Sequence, residues 1–153
     1  MKNQSTLRQL FILHKALLFG QIMFAAIGLF LQYTNRLNFN LSHLDQVLQV
    51  VVLIFSAAGV FIGASLFKKK IQQAKDTLTD VKAKAEVYRS ASIIQWALIE
   101  APSLFCIICF MLAGNYAFLA LAAALMLWFA LTGPAKLKIM ILLGLNETEM
   151  ENF

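Results

Sequence analysis

ASIIQWALIEAPSLFCIICFMLAGNYAFLALAAALMLWFALT, residues 91–132, carries a single charged side chain, Glu100. Two apolar runs, 91–113 and 116–132, meet at Gly114 and Asn115, residue types that favour tight turns. A helix rises about 1.5 Å per residue, so runs of this length approach the roughly 30 Å hydrocarbon thickness of a bilayer. The pair is predicted to form a membrane hairpin.

Outward from it, residues 11–33 and 46–67 are apolar runs of the same kind, separated by a polar stretch that includes Asn35, Arg36, Asn38, Asn40, Ser42, His43 and Asp45. The 153-residue chain is 60% hydrophobic and 14% charged, with a mean hydropathy of +0.73. That composition leaves too little polar surface for a water-soluble globule. The expected fold is all-α: a single integral membrane domain, 1–153, built as a four-helix transmembrane bundle. The first run follows a basic N-terminus, as a signal peptide would, but no A-x-A cleavage pattern follows and a second run comes soon after, so it reads as a retained anchor.

Of the 13 basic residues, only Arg36 falls between the first and second runs. Cationic side chains near span ends are held on the cytoplasmic side during insertion, which predicts cytoplasmic N- and C-termini and a location in the bacterial inner membrane. The long middle segment, with Lys68, Lys69, Lys70, Lys75, Lys82, Lys84 and Arg89, then faces the cytoplasm as well. A basic face of this kind suits anionic lipid headgroups. No nucleic-acid-binding motif accompanies it.

The middle segment has neither Gly nor Pro, and Ile71, Ala74, Leu78, Val81, Ala85 and Tyr88 recur at helical spacing. Asp76, Thr77, Thr79 and Asp80 interrupt it with turn and capping residues. A cytoplasmic helical hairpin is predicted, its arms packing on each other or receiving a partner protein. Beyond the fourth run, Gly133 and Pro134 end the helix, and residues 134–143 mix Lys136 and Lys138 with apolar side chains as an interfacial helix does. The acidic tail with Glu147, Glu149 and Glu151 is expected to fray.

Ser56, Gly59 and Gly63 place small residues along one face of the second run, where van der Waals contact in lipid favours close helix packing. The contact could be with another helix of the chain or with a second copy in a homo-oligomer. Cys106 and Cys109 share a face of the third run and read as packing residues, since no partner ligand accompanies them.

Glu100 is the one acidic residue inside a predicted span, near the bilayer midplane. An ionised carboxylate there costs about 2.5–3.5 kcal/mol on insertion scales, so protonation or pairing is expected. Ser92, Trp96 and Ser103 share its side of the helix. Gln95 is near, and Pro102, a predicted kink, frees the carbonyl of Leu98. Gln21 and Gln49 are candidate partners from other spans. Glu100, Ser103 and Gln95 form the candidate ion site.

The run Tyr88-Arg89-Ser90-Ala91-Ser92-Ile93-Ile94-Gln95-Trp96-Ala97-Leu98-Ile99-Glu100-Ala101, followed by Leu104 and Phe105, resembles the carboxylate-bearing helix of the rotor-ring proteolipids (c subunits) of rotary ATP synthases. The resemblance implies a proton or sodium ion at Glu100. The run with Ser56, Gly59 and Gly63 is similar, more faintly, to the glycine-rich helix of that family. The chain departs from it in its long middle segment and two additional spans, and as a whole resembles small four-span bacterial membrane proteins.

Two functions follow as expectations. One is a noncatalytic membrane subunit or scaffold whose helices and basic face organise lipids or partner proteins; for either function, a homo-oligomer or a larger membrane complex is the expected assembly. The other is an ion-handling protein that uses Glu100. An enzyme is not expected, because nucleophiles, acids and metal ligands do not converge in the sequence; His14, read as an interfacial residue beside Lys15, and His43 fall at opposite membrane faces. No cofactor or metal is expected.

Overall fold

The structure, a computed structural model, describes residues 4–34 and 44–151. The stretch with Arg36 and His43 lies outside the described residues. Six helices follow one another: α1 (Gln4–Tyr33), α2 (Asp45–Thr77), α3 (Val81–Ala113), α4 (Tyr116–Leu131), α5 (Lys136–Leu143) and α6 (Glu147–Glu151). No strand occurs among the described residues.

Three helices, α1, α2 and α3, are long and apolar enough to cross a membrane. The fourth run forms a helix of only 16 residues, which at about 1.5 Å per residue falls short of the roughly 30 Å hydrocarbon layer. It reaches span length only together with α5, to which it is joined through a 71° bend at Thr132–Ala135.

At 33 residues each, α2 and α3 are about 50 Å long, well beyond that layer. Their ends therefore form a projecting arm. The turn at 78–80 is closed by Asp80, whose carboxylate accepts from the backbone N–H of Lys82 and Ala83 at 3.4 and 3.3 Å, capping α3. Ile71, Ala74, Ala85 and Tyr88 of the arm are all buried. They bury against more than each other: Ile139 and Leu143 of α5, with Leu145 and Met150, join the same cluster. Lys84 donates from Nζ to the Leu143 carbonyl oxygen at 3.3 Å, placing a cation at the C-terminus of α5. The tail expected to fray thus forms α6, whose entry is held by Glu149 accepting from the Asn146 N–H at 2.8 Å. Local charge is outweighed by the two apolar side chains that the tail buries.

α3 sits at the centre, packed by α1, α2 and α4. Gly114 adopts a left-handed φ of 69° after it, and Asn115 then caps α4 by accepting from the Ala117 N–H at 2.9 Å. α4 and α2 are both antiparallel to α3, and α1 is parallel to it: His14 meets Trp96, while Gly28 faces Ile107 and Met111. The outward surface is apolar, with Phe19, Phe30, Ile54, Phe61, Leu127 and Leu131 all exposed. Such a girdle would drive association in water and suits lipid tails.

Candidate functional site

The buried stripe of α1 steps by seven residues through His14, Gln21 and Gly28, and that of α3 through Trp96, Ser103 and Phe110. Parallel helices with equal steps stay in register. On antiparallel α4 the matching step runs from Phe129 to Ala122. Two layers result.

The lower layer is aromatic. His14, 2% exposed, stacks on Phe129 with ring centroids 4.6 Å apart and lies 4.9 Å from the Trp96 ring. Its Nε2 is 3.0 Å from the Phe129 carbonyl oxygen, an acceptor that also receives the Thr132 N–H and hydroxyl at 2.9 and 2.6 Å. Since that oxygen can only accept, the imidazole donates from Nε2. Trp96 Nε1 donates to the Thr132 carbonyl at 3.4 Å. α1 is thereby fastened to the bend between α4 and α5. The expectation of an interfacial His14 is corrected here: the bend leaves a socket that the imidazole fills.

The layer above contains Gln21, Ser103 and Ala122, each 0% exposed. The amide of Gln21 and the hydroxyl of Ser103 are buried and make no hydrogen bond among the described residues. Glu100 lies one turn before Ser103 on the same helix and is partly exposed, with no hydrogen bond or ion pair among the described residues. Gln49, one proposed partner, is instead engaged with Asp45 at 3.0 Å, at the far end of the bundle. Gln95 faces the other way, with its backbone lining the contact with Gly63.

The small-residue face of α2 lies on α3 of the same chain. Ser56, Gly59 and Gly63 are buried there. A Cβ on Gly59 would collide with the Leu98 carbonyl oxygen, the acceptor that Pro102 leaves free, and would crowd Pro102 Cγ at 3.1 Å. At Gly63 the corresponding contact, to Leu98 Cβ, is an ordinary 3.4 Å. Ser56 Oγ is 3.9 Å from Cys106 Sγ, and both cysteines are free and buried.

Charge is segregated. Every described Lys and Arg sits at one end of the bundle: Arg8 and Lys15 on α1, four lysines on the last turns of α2, Lys82, Lys84 and Arg89 on α3, and Lys136 and Lys138 on α5. Burial holds the ammonium of Lys138 below the usual lysine range. The arm offers a groove of about 330 Å³ bounded by Lys70, Gln73, Thr77, Leu78, Val87 and Ser90. A more open one of about 660 Å³ is bounded by Ser65, Lys68, Lys69, Gln72 and Asp76. The described residues contain no group of three or more His, Cys, Asp or Glu placed to hold a metal ion.

No protein-family model matches the chain, and neither the curated proteins nor the solved structures searched contain a match.

Proposed function

We propose that the chain is a noncatalytic integral membrane subunit or scaffold, a four-span bundle whose basic end lies at the cytoplasmic face. The observation that carries this reading is the gathering of every described Lys and Arg at one end, around an arm longer than a bilayer requires. With the positive-inside bias, that end faces inward; α4 makes a short fourth crossing, and α5, after the bend, lies at the basic end against the arm. Each Lys or Arg near an anionic leaflet contributes about 1 kcal/mol of attraction. Lys68 and Lys69 stand directly beyond the apolar girdle of α2, where headgroups lie. The arm, braced by α5 and α6, presents these charges on a rigid base to lipid or to a partner subunit. The test is lipid retention: in detergent extracts the parent should keep anionic phospholipid that Lys68→Gln/Lys69→Gln/Lys70→Gln loses. Equal retention would remove the lipid-organising role.

A second reading is favoured by one observation. Glu100 makes no hydrogen bond or ion pair among the described residues, and His14, a buried titratable side chain, packs its ring on Trp96, one turn before Glu100. A carboxyl so placed could exchange a proton within the bundle. The resemblance of this helix to rotor-ring proteolipids points the same way. The test is proton flux in sealed vesicles, which must disappear in Glu100→Gln if this reading holds.

A further inference from the structure

Three buried polar atoms in the layer above the aromatic one, both amide atoms of Gln21 and the hydroxyl oxygen of Ser103, lack hydrogen bonds among the described residues. Each such atom, left dry, forfeits the hydrogen bonds it makes in water. A chain that can place any apolar residue in this layer carries two polar ones.

The side chains matched to Gln21 are small. Below, the layer is filled by His14, Trp96 and Phe129, all three 2% exposed or less. At Gln21 the matching positions on α3 and α4 are Ser103 and Ala122, two of the smallest side chains. Helical side chains lean toward the N-terminus of their own helix. Because α1 and α3 run parallel, Gln21 and Ser103 lean the same way, toward the level of Glu100. Glu100 lies one turn before Ser103 on α3, in the direction in which both side chains lean.

We propose that Gln21 and Ser103 hold internal water that hydrogen-bonds onward to the Glu100 carboxyl. The donor and acceptor inventory selects the guest. Gln21 presents two N–H donors and an acceptor oxygen, and Ser103 presents one donor and an acceptor oxygen. A metal cation would satisfy the two oxygens and leave the Gln21 amide nitrogen facing a positive charge. Water accepts from that nitrogen and donates to either oxygen, and buried waters characteristically make about three such bonds. Glu100 then gains a polar neighbour in the bundle interior, where no described side chain hydrogen-bonds to it. This site stands apart from the proton-handling reading, since water can hydrate a carboxyl that never exchanges its proton.

The experiment uses the full chain purified in mild detergent, with helicity checked by circular dichroism. The parent should show a sharp internal-water O–H stretch in the infrared that shifts in heavy-oxygen water. Gln21→Leu, close in shape but apolar, should abolish that band and lower the unfolding temperature by several degrees. Ser103→Ala, a smaller change, should weaken or shift the band while preserving the fold, and it carries the test alone should Gln21→Leu fail to fold. Absence of an isotope-sensitive band in the parent, or a Gln21→Leu variant more heat-stable than the parent, would show a dry layer and overturn the proposal. So would an unfolding temperature that rises with sodium chloride but not with choline chloride, which would place a cation there. Loss of proton flux in Glu100→Gln bears only on the separate reading of Glu100, so the two can fail independently.

Discussion

The backbone of Gly59 rests against the carbonyl oxygen of Leu98, the one acceptor in α3 that Pro102 deprives of its helical donor. Two sequence features far apart in the chain, a small-residue motif and a helix-interior proline, are halves of one contact. Close approach lets the Cα–H of Gly59 face an oxygen that would otherwise be unpaired in an apolar setting. Gly59→Ala should destabilise the bundle by about 1–3 kcal/mol, the usual cost of overpacking. Gly63→Ala, where a methyl meets only ordinary contact distances, should cost much less. Thermal unfolding of the two variants in detergent measures the difference, and equal losses would mean that the Leu98 contact carries no special weight.

His14 is expected to act as a fastener for the bend between α4 and α5. His14→Ala should lose about 2–5 kcal/mol, as emptied core sites do. His14→Phe keeps the stack on Phe129 and forfeits the hydrogen bond to its carbonyl, at about 1 kcal/mol. Limited proteolysis near Gly133, compared with the parent, reports whether the bend has loosened. If His14→Ala is cut no faster than the parent, the socket is not what holds α1 to the bend.

These two contacts mark what the sequence does and does not disclose. The long apolar helices, the Gly114–Asn115 turn and the α2–α3 arm were legible because length, apolarity and helical spacing are local properties. His14 was not: beside Lys15 and near a span end it reads as interfacial, and only the bend after α4 makes a buried socket for it. The seven-residue spacing of His14, Gln21 and Gly28 was the available signal, visible once Trp96, Ser103 and Phe110 are seen to repeat it in register. α6 was hidden for a similar reason, since Leu145 and Met150 find their apolar partners on the distant arm. Glu100 was legible as a residue needing an account, whereas its lack of a hydrogen-bond partner among the described residues depends on the rotation of α3.

Topology is tested by single cysteines in a background where Cys106 and Cys109 are replaced. Thr34 and Thr77 are both exposed and sit at opposite ends of the bundle. With intact cells, an impermeant thiol reagent should reach Thr34→Cys from outside and leave Thr77→Cys unlabelled until the membrane is opened. External labelling of Thr77→Cys would invert the arrangement and remove the basic end from the cytoplasm.

Glu100→Gln separates the two functional readings. Gln has nearly the same shape and keeps hydrogen-bonding capacity, so unfolding temperature and assembly should match the parent. In vesicles with an imposed potential and a pH-sensitive dye inside, the noncatalytic reading predicts identical proton entry for parent and variant. Entry that depends on Glu100 would displace that reading in favour of proton handling.

The central claim, a noncatalytic subunit that works through its basic end, is tested most directly by the composition of the particle it forms. The full chain should be extracted in a mild detergent and weighed intact by native mass spectrometry, alongside a variant with Lys68, Lys69 and Lys70 changed to Gln. The account predicts a particle containing anionic phospholipid, a second protein in fixed ratio, or both, diminished in the variant. A bare chain or bare homo-oligomer, identical in composition for parent and variant, would contradict it.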